Sequence, residues 1–330
     1  MLLLTGATGL VGRPLLRRLA ASGTPVRCLV RDPRRLGPDR VRVQIALGDL
    51  ADPQSFRNAL RGVDTVVHLA ATIRDQPRGS IEELNGIATW RMVEAAGRAG
   101  VGRFVFFTAL GASAHDRTRL LRAKALAEAA VRDGPVDSVI FAPSLIYAPG
   151  DAWLTLLARL ALLPVMPISG RGHAVFQPIW ADDVARCVCS ALDPDLRFSP
   201  GSSGRSLVEA EAEAGVGSGP GSGTASGARS ARYELAGPQE LSYEEIVRLA
   251  LRSFNRRRLL LRLPTPIVAA GLRTLEILAR SRAFATWDEA ELMEVSMTTP
   301  AGTADAERLG VSPRTMADVL GVQGGAPGRR

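Results

Sequence analysis

Thr5-Gly6-Ala7-Thr8-Gly9-Leu10-Val11-Gly12 is the stretch on which the fold turns. It follows the apolar run Met1-Leu2-Leu3-Leu4 and leads into residues 12–21, where Leu15, Leu16 and Leu19 recur at helical spacing. Pro14 is tolerated in the first turn of that helix, where its missing N–H costs nothing. Glycines let a backbone turn tightly and approach a pyrophosphate, whose charge is stabilised by free N–H groups and the positive helix end. The spacing is G-x-x-G-x-x-G. At the first strand–helix junction of an alternating chain, it predicts a nucleotide site formed by Thr5, Gly6, Thr8, Gly9, Leu10, Val11 and Gly12.

The alternation continues outward. Apolar strand patterns occupy 1–5, 26–30, 41–46, 65–69, 103–108 and 138–142, with helical patterns at 12–21, 53–60, 81–99 and 119–133. Strands alternating with helices predict right-handed crossovers and a parallel sheet. The expected fold is α/β, a Rossmann-like doubly wound parallel sheet with a smaller, mostly helical C-terminal domain. Residues 1–150 are the expected nucleotide domain, with 174–192 and 232–238 returning to it, and 151–330 form the substrate-side region. Between 198 and 232 the composition collapses to Gly, Ser, Ala and Pro, which predicts a flexible insertion. Ser242 with Glu245 spells a capping box at the start of a later helix.

The chain has 330 residues, 46% hydrophobic and 22% charged, which supports a sizeable core and excludes wholesale disorder. Three cysteines make no disulfide framework, and Cys187 and Cys189 lack the second Cys/His pair that a zinc site needs. No metal site is expected. Uncharged apolar runs are too short for a membrane span, and the N-terminus shows no basic leader, which fits a cytoplasmic protein. The net charge of +8 invites a nucleic-acid reading, but the basic residues are scattered and aromatics are only 5%. No nucleic-acid partner is expected. Of the 41 basic side chains Lys124 alone is lysine, so arginine usage explains the charge and makes this lysine conspicuous.

The second strand pattern ends in Val30-Arg31-Asp32-Pro33-Arg34-Arg35. In a dinucleotide fold a carboxylate at this tip holds the ribose 2′-OH, whereas an arginine meets a 2′-phosphate. Arg31 comes first, which favours NADP(H) over NAD(H). Asp32 is the contrary signal.

Further blocks carry a family resemblance: Gly48-Asp49-Leu50, His68-Leu69-Ala70-Ala71, Asn85, Ala142-Pro143-Ser144-Leu145-Ile146-Tyr147, the run from Gln177 to Ala185, and Tyr233-Glu234-Leu235-Ala236-Gly237-Pro238. With the glycine turn they resemble the atypical and extended short-chain dehydrogenases/reductases. The likeness is to NmrA-like proteins and to relatives of the nucleotide-binding accessory subunit of respiratory complex I. The resemblance implies that Asp49 and Leu50 border an adenine, and that Ala70 and Ala71 line the cofactor cleft. Pro143, Ser144, Leu145 and Ile146 are then placed near a nicotinamide. His68 is read as a packing residue, and Asp182 and Asp183 as caps of the following helix.

Active members of that superfamily carry a Tyr-x-x-x-Lys pair on one helix face. Lys124 matches the lysine, but Leu120 stands where the tyrosine belongs and cannot transfer a proton. Thr108 or Ser113 is the candidate for the companion hydroxyl. Lys124 and Thr108 are thus the catalytic candidates and also cofactor contacts. Three uses stay open: an oxidoreductase or isomerase on a small apolar substrate, a catalytically silent assembly subunit, and a redox sensor that contacts another protein. The apolar stretches 153–168 and 259–279 are expected to roof the substrate cleft, with peripheral membrane contact as another use.

Overall fold

The computed structural model describes residues 1–170, 172–193, 228–263 and 291–322. Seven strands form one sheet: β1 (Leu2–Thr5), β2 (Val26–Val30), β3 (Gln44–Leu47), β4 (Thr65–His68), β5 (Arg103–Phe107), β6 (Asp137–Pro143) and β11 (Ser230–Leu235). Their order is β3-β2-β1-β4-β5-β6-β11, and every pairing is parallel. The chain winds outward through β2 and β3, then returns to lay β4 against the other side of β1. That reversal is the switch point at which doubly wound sheets open a crevice.

Side-chain alternation explains the two covered faces. Leu2 and Leu4 of β1, Val67 of β4, and Val105 and Phe107 of β5 enter one core. Their neighbours Leu3, Val66, Phe104 and Phe106 enter the other. Helices α1 (Gly12–Ala21) and α6 (Ala181–Leu192) cover the first face with Leu15, Leu16, Leu19, Val184 and Val188. Helices α3 (Ala88–Arg98) and α4 (Arg119–Arg132) cover the second with Met92, Val93, Ala127 and Val131. A short helix α2 (Pro53–Arg57) adds Phe56 to it.

A third core lies beyond the sheet. It gathers β7 (Ile146–Tyr147), α5 (Ala152–Leu160), β8 (Val165–Ser169), β9 (Val175–Phe176), β10 (Ile179–Trp180), β12 (Leu241–Ser242), α7 (Tyr243–Ser253) and β13 (Leu259–Leu263). Helix α8 (Ala304–Arg308) packs against β11, and α9 (Met316–Val319) packs near β10. The capping box at Ser242 and Glu245 is formed in full at the start of α7.

Several boundaries differ from the sequence expectation. The strand expected over 41–46 begins only at Gln44, because Pro33–Arg42 coils into 3₁₀ turns kinked at Gly37, whose φ is 61°. The expected insertion 198–232 overlaps the edge strand: residues 230–232 pair with β6, where Ser230 sits beside Ser138 and Arg232 beside Ile140. The part before residue 228 lies outside the described residues, as does 264–279 of the later apolar stretch. Asp182 and Asp183 do not cap α6 with their side chains. Asp182 instead pairs with Arg18 of α1 at 2.5 Å, and Asp183 accepts from the Arg314 N–H at 3.0 Å. Among the described residues no helix is long and apolar enough to cross a membrane.

Candidate functional site

The glycine turn is held in a form only glycine supports at two positions. Gly6 has φ of 71°, and a Cβ there would lie 2.6 Å from the Ala70 nitrogen. A Cβ on Gly12 would run into the Gly6 carbonyl and the Ala7 backbone. Gly9 N–H closes the turn on the Gly6 carbonyl at 2.9 Å. The loop therefore sits flat between the ends of β1 and β4. No side chain caps the N-terminus of α1, and no acid occupies its first turn. Its positive end is left for an external anion.

A cleft of about 870 Å³ opens over this loop, at the carboxyl ends of β1, β2 and β4. That is the size of a small-molecule or cofactor site. Thr5, Gly6, Thr8, Gly9, Arg31, Asp49, Leu50, Ala70 and Ala71 line it. Leu10, Val11, Gly12, Thr108, Lys124, Pro143, Ser144, Leu145 and Ile146 are not among its lining residues. Leu10 is exposed beside the turn, while Val11 and Gly12 are buried under it and serve the turn's shape.

At the β2 end Arg31 and Arg35 line the cleft, and among the described residues neither has a carboxylate partner. Asp32 also lines it, but its carboxylate accepts from the Arg34 N–H at 3.0 Å and caps the 3₁₀ turn. Across the cleft Asp49 is committed as well: it accepts from the Ala51 N–H at 3.1 Å and pairs with Arg78 at 3.1 Å. A polyanion thus meets two guanidiniums that have no carboxylate partner among the described residues. The glycine cradle, the uncapped helix end and these arginines fit a dinucleotide.

Sequence reasoning missed the far wall, where Thr72, Arg74, Asp75, Gln76, Pro77 and Leu84 line the cleft. The signal available was position, since this loop leaves β4 at the switch point. It is latched from α4 by Arg119, which holds Asp75 at 3.0 Å and Glu82 at 2.7 Å. Those bonds pull the Glu82 carboxyl down to about 2.

Behind the cleft runs a buried polar chain. Ala70 N–H donates to Thr5 Oγ1 at 3.2 Å, Thr5 Oγ1 meets His68 Nδ1 at 3.0 Å, and His68 Nε2 meets Thr89 Oγ1 at 3.2 Å. Thr89 spends its proton on the Asn85 carbonyl at 2.6 Å. The Thr89 oxygen must then accept from His68, so Nε2 carries the imidazole proton and Nδ1 accepts from Thr5. Burial, and secondarily Lys124, lowers the His68 pKa to about 3 and keeps the ring neutral. His68 holds the turn through Ala70 from the core side.

Lys124 sits on α4, 7% exposed, and its ammonium donates to the Phe107 carbonyl at 2.6 Å. It also lies 5.0 Å from the centre of the Phe106 ring, and burial lowers its pKa to about 8. Thr108 follows that carbonyl at the end of β5. Its Oγ1 is buried and has no partner among the described residues. Leu120, one turn before Lys124, is half-buried. Tyr147 offers no substitute phenol at the surface, being fully buried in the third core, with its pKa raised by desolvation. The Ser144 hydroxyl donates to the Met297 carbonyl at 2.6 Å and accepts from the Gln177 N–H at 3.0 Å, which ties β6 to the C-terminal segment.

Residues 6–152 match the family described as NAD(P)H-binding. The chain is 31% identical over 195 residues to the ceramide reductase of Caulobacter vibrioides, covering 58% of this chain and 61% of that protein. It is 28% identical over 280 residues to NADH dehydrogenase (ubiquinone) 1 alpha subcomplex subunit 9, mitochondrial, of Arabidopsis thaliana, covering 80% and 60%. The chain therefore spans about three fifths of the length of each of these relatives. A nucleoside-diphosphate-sugar epimerase from Staphylococcus aureus shares the fold with a TM-score of 0.69 at 17% identity, over 97% of this chain and 99% of that one. Glycine cradle, switch-point cleft and matched family agree: residues 6–152 carry an NAD(P)H-binding domain, and the chain is similar to a reductase and to an NADH dehydrogenase subunit.

Proposed function

We propose that the protein binds NADP(H) in preference to NAD(H) and acts as an oxidoreductase on a small apolar substrate. The observation that carries the cofactor preference is the pair Arg31 and Arg35 in the cleft lining, neither with a carboxylate partner among the described residues. Such guanidiniums suit a 2′-phosphate. The name of the Caulobacter relative, ceramide reductase, supports an apolar substrate.

Bound at this site, the nicotinamide would supply or accept a hydride. Thr5, Gly6, Thr8 and Gly9 hold the diphosphate, and Arg31 holds the 2′-phosphate. Asp49, Leu50, Ala70 and Ala71 would flank the rest of the nucleotide, whereas residues 143–146 stand outside the cleft lining. Thr108, whose hydroxyl has no partner among the described residues, would shape the end of β5 from beneath the cofactor. Lys124, buried on α4 with its ammonium on the Phe107 carbonyl at 2.6 Å, would act as a positioning residue that holds the end of β5 beside the cofactor.

Leu120 favours a second reading, a catalytically silent subunit that binds the cofactor and contacts another protein. Titration of purified protein with NADPH and NADH, followed by nicotinamide fluorescence and its decay, separates the two. Tighter NADPH binding by about tenfold, with oxidation accelerated by apolar aldehydes or ketones, is the expected result. Tight binding with no turnover selects the subunit reading, and equal affinity for both nucleotides overturns the cofactor preference.

A further inference from the structure

The strand pair β8–β13 carries apolar side chains on both faces, with Arg262 at its far end paired to Glu244. The strands run parallel, with Leu259 beside Val165, Leu260 beside Met166 and Leu261 beside Pro167. Met166 and Ile168 point into the third core and are at most 2% exposed. Alternation therefore turns Val165, Leu259 and Leu261 outward, where they are 37%, 79% and 47% exposed. A solvent face of a strand pair is ordinarily polar. The turn after α5 adds Leu162 and Leu163, 66% and 46% exposed. Arg258 fastens that turn to the start of β13, donating through Nε to the carbonyls of Ala161 and Leu163 at 3.1 and 2.9 Å. The exposed aliphatic side chains thus form one ridge.

Beside the ridge is a concavity of about 430 Å³ lined by Arg248, Arg252, Arg256, Arg257 and Arg258, and Leu259 and Leu260 form its border with the ridge. Arg248 is paired with Glu244 at 2.6 Å. Arg252, Arg256 and Arg257 have no carboxylate partner among the described residues. An aliphatic ridge flanked by uncompensated guanidiniums matches the two chemistries of an anionic bilayer surface, acyl chains at the headgroup boundary and phosphates above them. The exposed apolar members are all aliphatic, so the ridge lacks the aromatic anchors typical of protein–protein hot spots.

We propose that this end of the C-terminal region docks the protein on anionic lipid bilayers. Leu162, Leu163, Leu259 and Leu261 enter the interface, and Arg252, Arg256 and Arg257 meet lipid phosphates. The docking face is separate from the cofactor cleft, whose lining residues it does not share.

Flotation of the full chain with vesicles tests this. Binding is expected to phosphatidylcholine vesicles containing phosphatidylglycerol, to weaken with added salt, and to be far weaker with phosphatidylcholine alone. Each arginine near the surface is worth about fivefold, so the triple variant Arg252→Gln/Arg256→Gln/Arg257→Gln loses about a hundredfold. Leu259→Ser/Leu261→Ser also weakens binding and leaves a residue of binding that salt abolishes. All five positions are at least partly exposed, and unchanged thermal melting and NADPH affinity verify that both variants fold. The proposal is overturned by absence of flotation on the anionic vesicles at low salt, or by an unaltered triple variant. Competition by soluble glycerophosphate would show a small phosphate site instead. Self-association lost in the leucine variant, without vesicle binding, would show an interface between copies.

Discussion

Replacing Arg31 by alanine is the sharpest probe of the cofactor site. The side chain follows the last residue of β2, is exposed, and lines the cleft with no carboxylate partner among the described residues. A guanidinium on a phosphate makes charge-assisted hydrogen bonds worth roughly 1.5–3 kcal/mol. Exposure and salt screening place Arg31 at the lower end, about 1.5 kcal/mol or about tenfold in Kd. Isothermal titration or fluorescence should show NADPH weakened by that factor in Arg31→Ala and NADH unchanged within about twofold. Arg31→Lys keeps the charge and loses the fork, so it falls between. Asp32→Ala removes a cap, costs about 1 kcal/mol of stability, and leaves NADH affinity unaltered. Equal losses for both nucleotides in Arg31→Ala would refute the reasoning, because the guanidinium would then meet a group common to both; loss of NADH alone in Asp32→Ala would refute it by putting the carboxylate on the ribose.

Three further outcomes follow from buried groups. Thr108→Val removes a hydroxyl that has no partner among the described residues and should raise stability by about 1 kcal/mol, read as a higher Tm; a lower Tm would mean that the hydroxyl is bonded. His68 has its pKa lowered from 6.5 to about 3, so the unfolded chain takes the proton first. Its contribution is complete above pH 6.5 and is lost at about 1.4 kcal/mol per pH unit below it; urea unfolding of His68→Asn, which cannot titrate, should lack that part of the acid slope. Lys124 has its pKa lowered from 10.5 to about 8, so its buried charge burdens the fold below pH 8 and the burden lifts as pH rises to 10.5. The stability of the wild type relative to Lys124→Met should therefore climb by about 3 kcal/mol across that window; a flat difference would place the ammonium in water.

Much of the nucleotide half was legible in the residues themselves. Apolar alternation in Leu2-Leu3-Leu4 and in Phe104–Phe107 already implies a strand covered on both faces, because successive side chains point oppositely. The glycines at 6 and 12 announce a turn that tolerates no Cβ there, and the four-residue step from Leu120 to Lys124 shows the missing phenol. Such features are local, set by backbone preference and periodicity. Tertiary structure alone decided where the polar groups are spent. Asp182 reads as a cap until it is found on Arg18, 164 residues away. His68 gains its tautomer from Thr5 and Thr89, 63 and 21 residues distant, and the Ser144 hydroxyl is claimed by a carbonyl 153 residues on. The apolar stretches 153–168 and 259–279 read as a roof over the cleft until β8 and β13 are found paired with one apolar face outside. Periodicity fixes which way a side chain points, but a hydrogen bond or an exposed face depends on what the rest of the chain brings beside it.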